Sequence, residues 1–534
     1  MIEVSAGGVL LLALLLEPLL GAVLLAPMRS APRAAKATGL VFALAELVLT
    51  VPAWLAYQPG GARLQLTLST PWIPAFGTRF SLGVDGIALV MIALISVLMP
   101  IVMGFSWTER LPEGRTPAGF YALLLGMQSL LVGVFAATDV FLFYLFFEVM
   151  LVPMYFLIGR FGGPRRQYAA VKFFLYSLLG GLVMLASVIG VFVVSAKALG
   201  QGTFNWAELV RIAGSIPQST QIWLFLGFFL ALAIKAPLVP LHTWLPDAGA
   251  EAPVGVGVLL VGVMDKVGIY GFLRYCLPLF PGASRALAPL VLVLAVAGVI
   301  YGALLAVGQS DMKRFVAYTS VAHFGFIALG VFAFSTQAQA GAVLYLVNHG
   351  ISTGMLFIVI GMLMARGGSR LISDYGGVSA LAPVLAGTML LAGLASLALP
   401  GTSPFVSEFL VLIGSLPRAP VYTIVATTGM ILAALYVLWL YQRLMHGPVR
   451  GAAVVGRTLA GPGTATAPQA AARRGRGAFP DLSIREVAVL TPLVVLILLL
   501  GLYPQPVLNV INPSVGATLT EVGLSDPVVG QGGS

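Results

Sequence analysis

Apolar runs of about 20 residues recur from one end of this chain to the other, with short polar stretches between them. They predict helices at roughly 5–27, 38–56, 83–106, 118–137, 140–159, 168–194, 221–243, 251–275, 287–307, 315–334, 341–365, 379–416, 421–443 and 487–504, fourteen in all. The runs are too long and too continuous for barrel strands, which alternate in and out. Two of the fourteen are interrupted. Pro237 and Pro240 follow directly on Lys235, with Pro246 and Pro253 beyond them, and LPGTSP (Leu399 to Pro404) cuts the run that carries Glu408. Two stretches break the pattern. Gln58 to Phe80 alternates at Leu64, Leu66 and Leu68 and predicts a short external hairpin. Gly447 to Pro480, rich in Gly, Ala, Arg and Pro, predicts a flexible loop.

Composition agrees with the pattern. Hydrophobic residues make up 59%, charged residues 9%, and mean hydropathy is +1.00, where a soluble chain carries about 25% charge. The fold class is an all-α polytopic membrane protein with no separate soluble domain. Its 34 prolines and 62 glycines suit membrane helices. The single cysteine, Cys276, excludes an iron–sulfur cluster, a CxxC redox pair and a disulfide framework within the chain. No GxGxxG, no phosphate-binding loop and no metal-ligand cluster is present, so the chain shows no means of carrying electrons or hydrolysing ATP. Glu3 precedes the first basic residue, Arg29, which predicts a retained first helix rather than a cleaved signal peptide.

The net charge of +10 is a matter of sidedness. The loops 29–36, 107–117, 160–167, 243–250, 308–314, 366–378 and 443–486 hold 19 basic residues, against 7 on the other side. The positive-inside rule makes the first side cytoplasmic and places both termini outside. A nucleic-acid partner is not needed to explain the charge.

Six ionisable residues, from six different runs, fall near one level deep inside them. Glu148 lies nine residues past Asp139, and His323 nine past Arg314, or roughly 13 Å in at 1.5 Å per residue. His349 is eight past Gly341 and Glu408 eight before Leu416, about 12 Å deep. Lys235 and Lys266 lie well inside their own helices. All six fall near the bilayer midplane. An ammonium there costs at least ~2.5 kcal/mol on insertion scales, and residues of this kind build the proton relays of pumps. Low dielectric favours the neutral forms of amines and carboxyls alike, where protons exchange, and histidine needs little adjustment. Unwound backbone at this depth is tolerated only where protein or water covers it. Interrupted helices in corresponding places of two halves mark a repeated transporter fold. Two inverted five-helix repeats, each with one broken helix, are read at 118–275 and 287–443, preceded by 1–117 and followed by the last helix and tail at 487–534.

Plainer readings stand beside these. Glu148 forms a structural ion pair with Lys172 or Lys235. His323 and His349 are satisfied packing residues, His349 with Asn348 beside it. His242 caps a helix or sits in a loop. Lys172 snorkels. Glu17 and Glu46 make packing or partner contacts. The run FLFYLFF (Phe141 to Phe147) is packing or lipid-facing surface. Asp265 precedes Lys266 and points about 100° away around the helix, either toward another group or to compensate charge.

FEVMLVPMYFLIG (Phe147 to Gly159), KAPLVPLHTWLPDA (Lys235 to Ala248), QSDMKRFVAYTSVAHFGF (Gln309 to Phe326), NHGISTGMLF and LPGTSPFVSEFLVLIGS closely resemble the antiporter-like membrane subunits of respiratory complex I. The resemblance covers at least residues 75–445. Glu408 in place of a lysine, VPMYFLIG after Glu148, and the lack of a long C-terminal lateral helix narrow it to one of the three subunits sharing this plan. It implies that Glu148 and Lys235 act as a coupled carboxylate–lysine pair, Lys266 as the central relay lysine, His323 and His349 as connecting histidines, and Glu408 as the terminal exchange residue. It further implies no cofactor in this chain. NAD, FMN, iron–sulfur clusters and quinone belong to partner subunits, and other membrane subunits of the complex and the lipid bilayer are the partners. The expected location is a bacterial plasma membrane. Asp265 and the 447–480 insertion depart from the family pattern. Two rivals remain: a subunit of a Mrp-type Na+/H+ antiporter, in which a lysine in place of Glu408 is usual, and a passive scaffold whose buried charges only hold helices together.

Overall fold

The computed structural model describes residues 3–5, 7–109, 111–455 and 479–527. The chain runs through β1 (Glu3–Val4), α1 (Gly8–Leu25), α2 (Pro32–Ala56), β2 (Gln65–Ile73), β3 (Thr78–Val84), α3 (Gly86–Ser106), α4 (Pro117–Ala136), α5 (Val140–Phe161), α6 (Arg166–Leu199), α7 (Trp206–Ile212), α8 (Gln218–Lys235), α9 (Trp244–Glu251), α10 (Val254–Leu279), α11 (Pro281–Val307), α12 (Met312–Phe332), α13 (Thr336–Gly367), α14 (Pro383–Ser396), α15 (Ser403–Ser415), α16 (Pro420–Met445), α17 (Ile484–Leu502) and α18 (Gln505–Glu521). Thirteen helices among the described residues are long and apolar enough to cross a membrane, and α14 and α15 are the two halves of the interrupted run at 379–416.

Burial sorts these helices. The apolar windows of α10 and α13 are 100% buried, whereas those of α2 and α17 are 28% buried. α10 and α13 therefore form the centre, with α3 and α12 beside them. α1, α2, α16 and α17 show Leu16, Val48, Leu55, Ile424, Ile431 and Leu502 on their outer faces, as a lipid-facing layer requires, because lipid tails solvate leucine as well as a protein core does.

The expected hairpin is present as antiparallel β2 and β3, and β1 adds a third strand that the sequence pattern did not announce. Arg63 fastens this end of the molecule. Its guanidinium donates to Asp85 at 2.9 Å, to Glu521 at 3.1 Å and to Thr518 at 2.9 Å, tying the segment before β2 to α18. Asp85 also caps α3 through the Ala88 N–H, at 2.7 Å, and takes a 3.3 Å ion pair from Arg274.

Both interruptions occur where the prolines place them. α8 stops at Lys235, and the indole N–H of Trp244 donates to the Ile234 carbonyl at 2.8 Å. In a regular helix that carbonyl would accept from the Leu238 N–H, but Pro237 has no N–H to offer Ala233 and Leu238 bonds the Ala233 carbonyl instead, at 2.9 Å, so the indole supplies the bond that Ile234 lacks. The segment 243–250 was expected to be a loop. It is instead the second half-helix, α9, because its composition (WLPDAGAE) is too polar to register as an apolar run although its backbone coils. It holds no lysine or arginine, so the charge asymmetry is unaffected. At the second interruption Ala398 has φ 58° and Gly401 φ 93°, and α15 restarts with Ser403 and Pro404 in its first turn. Most of the predicted loop at 447–480, with Arg457, Arg473, Arg474 and Arg476, lies outside the described residues, as does Arg110.

Candidate functional site

The two lysines are fully buried and differently held. Lys266 sits where α10 widens into π-helical turns, at Leu260–Met264 just before it and at Phe272–Cys276 after it. π-Turns of this kind gather at functional sites. An ammonium has three donors and no acceptor, and Lys266 uses all three. Nζ donates to Asp265 Oδ1 at 3.0 Å, to the Val261 carbonyl, and toward His349 Nδ1 at 2.7 Å. Phe324 covers it, with its ring centroid 5.1 Å away. Asp265, which helical geometry alone turned away, is thus the ion-pair partner of Lys266, with both side chains 0% exposed.

Lys235 has none of this. Its Nζ has no hydrogen-bond partner and lies 5.3 Å from the ring centroids of both Phe147 and Phe173. FLFYLFF therefore includes a packing wall for the lysine. Glu148 stands on the neighbouring α5, half-buried, with Oε1 enclosed and unpartnered. No ion pair joins it to Lys235, although the two charges act on one another. Glu148 fits against α6 because residue 181 is glycine: a Cβ there would overlap its carboxyl. The alternative pairing with Lys172 is overturned, since Lys172 bonds Asp247 at 2.7 Å.

Beyond Lys266 the groups continue. The His323 and His349 rings are 5.3 Å apart, and His323 Nδ1 is 2.7 Å from the Tyr345 hydroxyl. Tyr345 lies within electrostatic reach of Glu408, as does Tyr436. Asn348 does not partner His349. Its amide donates to the Ser403 carbonyl at 2.7 Å and reaches Ser407 Oγ at 3.3 Å, fastening α13 to the restart of α15 that positions Glu408. The structure thus joins Lys266, His349 and His323 by direct contacts. Glu148 and Lys235 flank them on one side and Glu408 on the other, without a direct bond to the series. Tyr345 and the role of Asp265 were missed. A tyrosine in an apolar run carries no charge to mark it, and no sequence signal announces a π-turn in a helix that is apolar all round.

The side with most basic loops is closed by ion pairs. Asp247 takes bonds from Lys172 at 2.7 Å and Arg314 at 2.6 Å. Burial pushes its carboxyl up, but these two bonds outweigh burial and hold it below the usual carboxylate range. Glu251 accepts from Arg370 at 3.0 Å, and Arg370 also reaches Asp311 at 2.8 Å. His242 packs on Tyr301 and Tyr318 beside this network. Among the described residues no group of histidine, cysteine or carboxylate side chains is arranged to hold a metal ion.

The model of the NADH:quinone oxidoreductase/Mrp antiporter transmembrane family matches residues 137–434, more than half of the chain. The chain is 44% identical to the NADH-quinone oxidoreductase subunit M of Mycobacterium tuberculosis, over 96% of this chain and 94% of that protein. This chain belongs to that family. The subunit M protein of Escherichia coli K12 is 38% identical over 88% of this chain and 89% of its own length. A chain of respiratory complex I from Thermus thermophilus superimposes with a TM-score of 0.83 at 30% identity, over 96% of this chain and all of that one. A chain of the Mrp complex from Dietzia superimposes with a TM-score of 0.81, and at 23% identity it shows the fold alone. The resemblance read from the sequence is borne out, and the member of the family to which Glu408 and VPMYFLIG pointed is subunit M.

Proposed function

We propose that this chain is a proton-translocating membrane subunit of a bacterial NADH-quinone oxidoreductase. It moves protons along Glu148, Lys235, Lys266, His349, His323 and Glu408 at the membrane midplane while neighbouring subunits oxidise NADH and reduce quinone. The single observation carrying this reading is the contact series Lys266–His349–His323–Tyr345, four proton-exchanging side chains from three helices with links of 2.7 Å at either end. A scaffold needs no such series, because one apolar substitution per site costs less than burying it. Protons pass the wider intervals, at Glu148 to Lys235 and at Tyr345 to Glu408, over intervening water.

On this reading NAD, FMN, iron–sulfur clusters and quinone sit in partner subunits, and related antiporter-like subunits adjoin the chain on the flanks of Glu148 and Glu408. The two five-helix units, 118–275 and 287–443, each supply one interrupted helix. The basic loops face the cytoplasm and both termini face outward, across the bacterial plasma membrane. The Mrp-type reading rests on the family model that both kinds of subunit share and on the fold.

The test is Glu148→Gln against Glu148→Asp in the assembled complex. Both variants are expected to assemble. Quinone-linked proton pumping is expected to fall in the first and to be largely retained in the second. Equal losses in both, accompanied by loss of assembly, would establish the scaffold reading instead.

A further inference from the structure

The Glu/Lys/His series leaves two intramembrane carboxylates unused, Glu17 on α1 and Glu46 on α2. Both were expected to have packing or partner contacts. Glu46 is 0% exposed and neither of its oxygens has a partner, and Glu17 Oε2 is likewise enclosed and unpartnered. The two charges lie close enough to act on one another. A third side chain shares their level. Gln128, on α4, is 0% exposed, and its amide oxygen and nitrogen are both without a partner.

Neighbouring contacts fix the register. A side chain at Gly21 would meet Phe42 of α2 and Leu125 of α4. Glu17 is one turn before Gly21, Glu46 one turn after Phe42, and Gln128 nearly one turn after Leu125. The antiparallel course of α1 against α2 and α4 brings these three to one height. Ser129 Oγ donates to the Leu15 carbonyl at 2.7 Å, which fixes that height from the other side. Tyr121, two turns before Gln128, packs on Gly39, two turns before Glu46, so Gln128 lies on the face of α4 that meets α2 at the height of Glu46. The nearby hydroxyls are already engaged. Thr50 and Ser96 lie 2.9 Å apart and turn to the Glu46 and Ile92 carbonyls.

Among the described residues no cation bonds either carboxyl, and Arg29, on the turn that follows α1, is exposed. α1, α3 and α4 contain no lysine, arginine or histidine. On α2, Arg33 and Lys36 stand at the far end, and Lys36 donates to the Trp107 carbonyl at 2.7 Å. Asp85 and Tyr121 are bonded elsewhere, to Arg63 and to the Met103 carbonyl. Two carboxyls sharing one apolar site do not both ionise unless a cation joins them. Gln128 offers an amide oxygen to that cation or an N–H to a carboxylate.

We propose that Glu17, Glu46 and Gln128 form a site for one exchangeable monovalent cation, a proton shared by the carboxyls or a sodium ion held by their oxygens, in the N-terminal helix layer and apart from the midplane series. Exchange runs through Glu17, which alone of the three reaches the molecular surface. Nothing in this site depends on the midplane series conducting protons.

Infrared spectroscopy of the assembled complex in lipid nanodiscs tests it. In low-sodium buffer the wild type is expected to show a protonated-carboxyl band that shifts in heavy water and is lost in Glu46→Gln. Glu17→Gln serves as the second variant should the first fail to assemble. Gln128→Leu is expected to shift the band. A band that fades with added sodium, but not with potassium, identifies sodium as the competing occupant. A band indifferent to sodium that titrates with pH identifies the proton alone. The proposal is overturned if the carboxyl variants lose no band, if Gln128→Leu leaves it unmoved, or if the band neither exchanges in heavy water nor responds to pH or sodium.

Discussion

Lys235 and Lys266 are both completely buried, and both lie beside a departure from regular helix, yet their surroundings are opposite. Lys266 has each of its three donors occupied, by Asp265, the Val261 carbonyl and His349. Lys235 faces two phenylalanine rings, and Glu148 acts on it only across a gap. Burying a charge is tolerable when its bonds are made and costly when they are not. Lys266 is therefore built as a fixed junction whose charge has a standing partner. Lys235 is built as a group whose charge is unstable unless Glu148 or water supports it. In a relay the second kind of lysine is the one whose proton responds to events at the chain's edge, where half-buried Glu148 stands.

The contrast can be broken most severely at Asp265. Asp265→Ala leaves the Lys266 ammonium buried without its counter-charge, and the assembled complex is expected to lose about 3–5 kcal/mol of stability, the usual consequence of removing one partner of a buried pair. Lys235→Met should leave thermal stability unchanged or raised, because it removes a buried donor that has no bond to lose. Equal destabilisation by the two substitutions would erase the distinction. Thermal unfolding of the purified complex reads both.

A smaller effect is expected at Gly181. A methyl group there displaces the Glu148 carboxyl from its notch on α6. Proton pumping is expected to fall by about tenfold, the equivalent of roughly 1.4 kcal/mol on the transfer barrier, with assembly intact. Pumping at the wild-type rate would show that the position of Glu148 is immaterial. Tyr345→Phe removes the 2.7 Å contact with His323. One lost hydrogen bond is worth about 1 kcal/mol, so a few-fold loss of pumping is expected, with NADH oxidation by artificial acceptors unchanged.

The smallest effect lies at the basic side. The Asp247 carboxyl is held below its ordinary range in the folded protein, so its contribution to stability is present above the unfolded-state pKa of about 3.9 and is lost as pH falls through the folded value. Asp247→Asn is expected to remove about 1 kcal/mol or less, because solvent screens this partly exposed cluster, and to flatten the stability profile at acid pH. An unchanged acid limb would leave the Lys172–Asp247–Arg314 cluster without energetic weight.

What the chain discloses before it folds follows from which forces are local. Helix positions are legible because the bilayer demands unbroken apolar runs, and depth is legible because helical rise is constant; Glu148, Lys235, Lys266, His323, His349 and Glu408 all emerge from those two facts. The hidden features depend on packing between segments distant in sequence. Asp265 meets Lys266 where α10 leaves its first π-turn, and hydropathy is silent on the winding of a helix buried on every side. Tyr345 acquires meaning only when His323 is brought against it from α12. The half-helix α9 was missed because its polar residues, Asp247 and Glu251, face lysine and arginine side chains of other segments in the basic-side ion pairs rather than lipid. Glu17, Glu46 and Gln128 look like unrelated exceptions in three separate runs until the register of α1, α2 and α4 sets them at one height.

The most direct measurement is proton pumping by an assembled complex carrying Lys235→Ala, reconstituted in vesicles and driven by NADH and quinone, with assembly verified in the same preparation. Impaired proton translocation, with the complex intact and NADH still oxidised by artificial acceptors, is the expected result. Pumping at the wild-type stoichiometry and rate would contradict the proton-relay function of the midplane series.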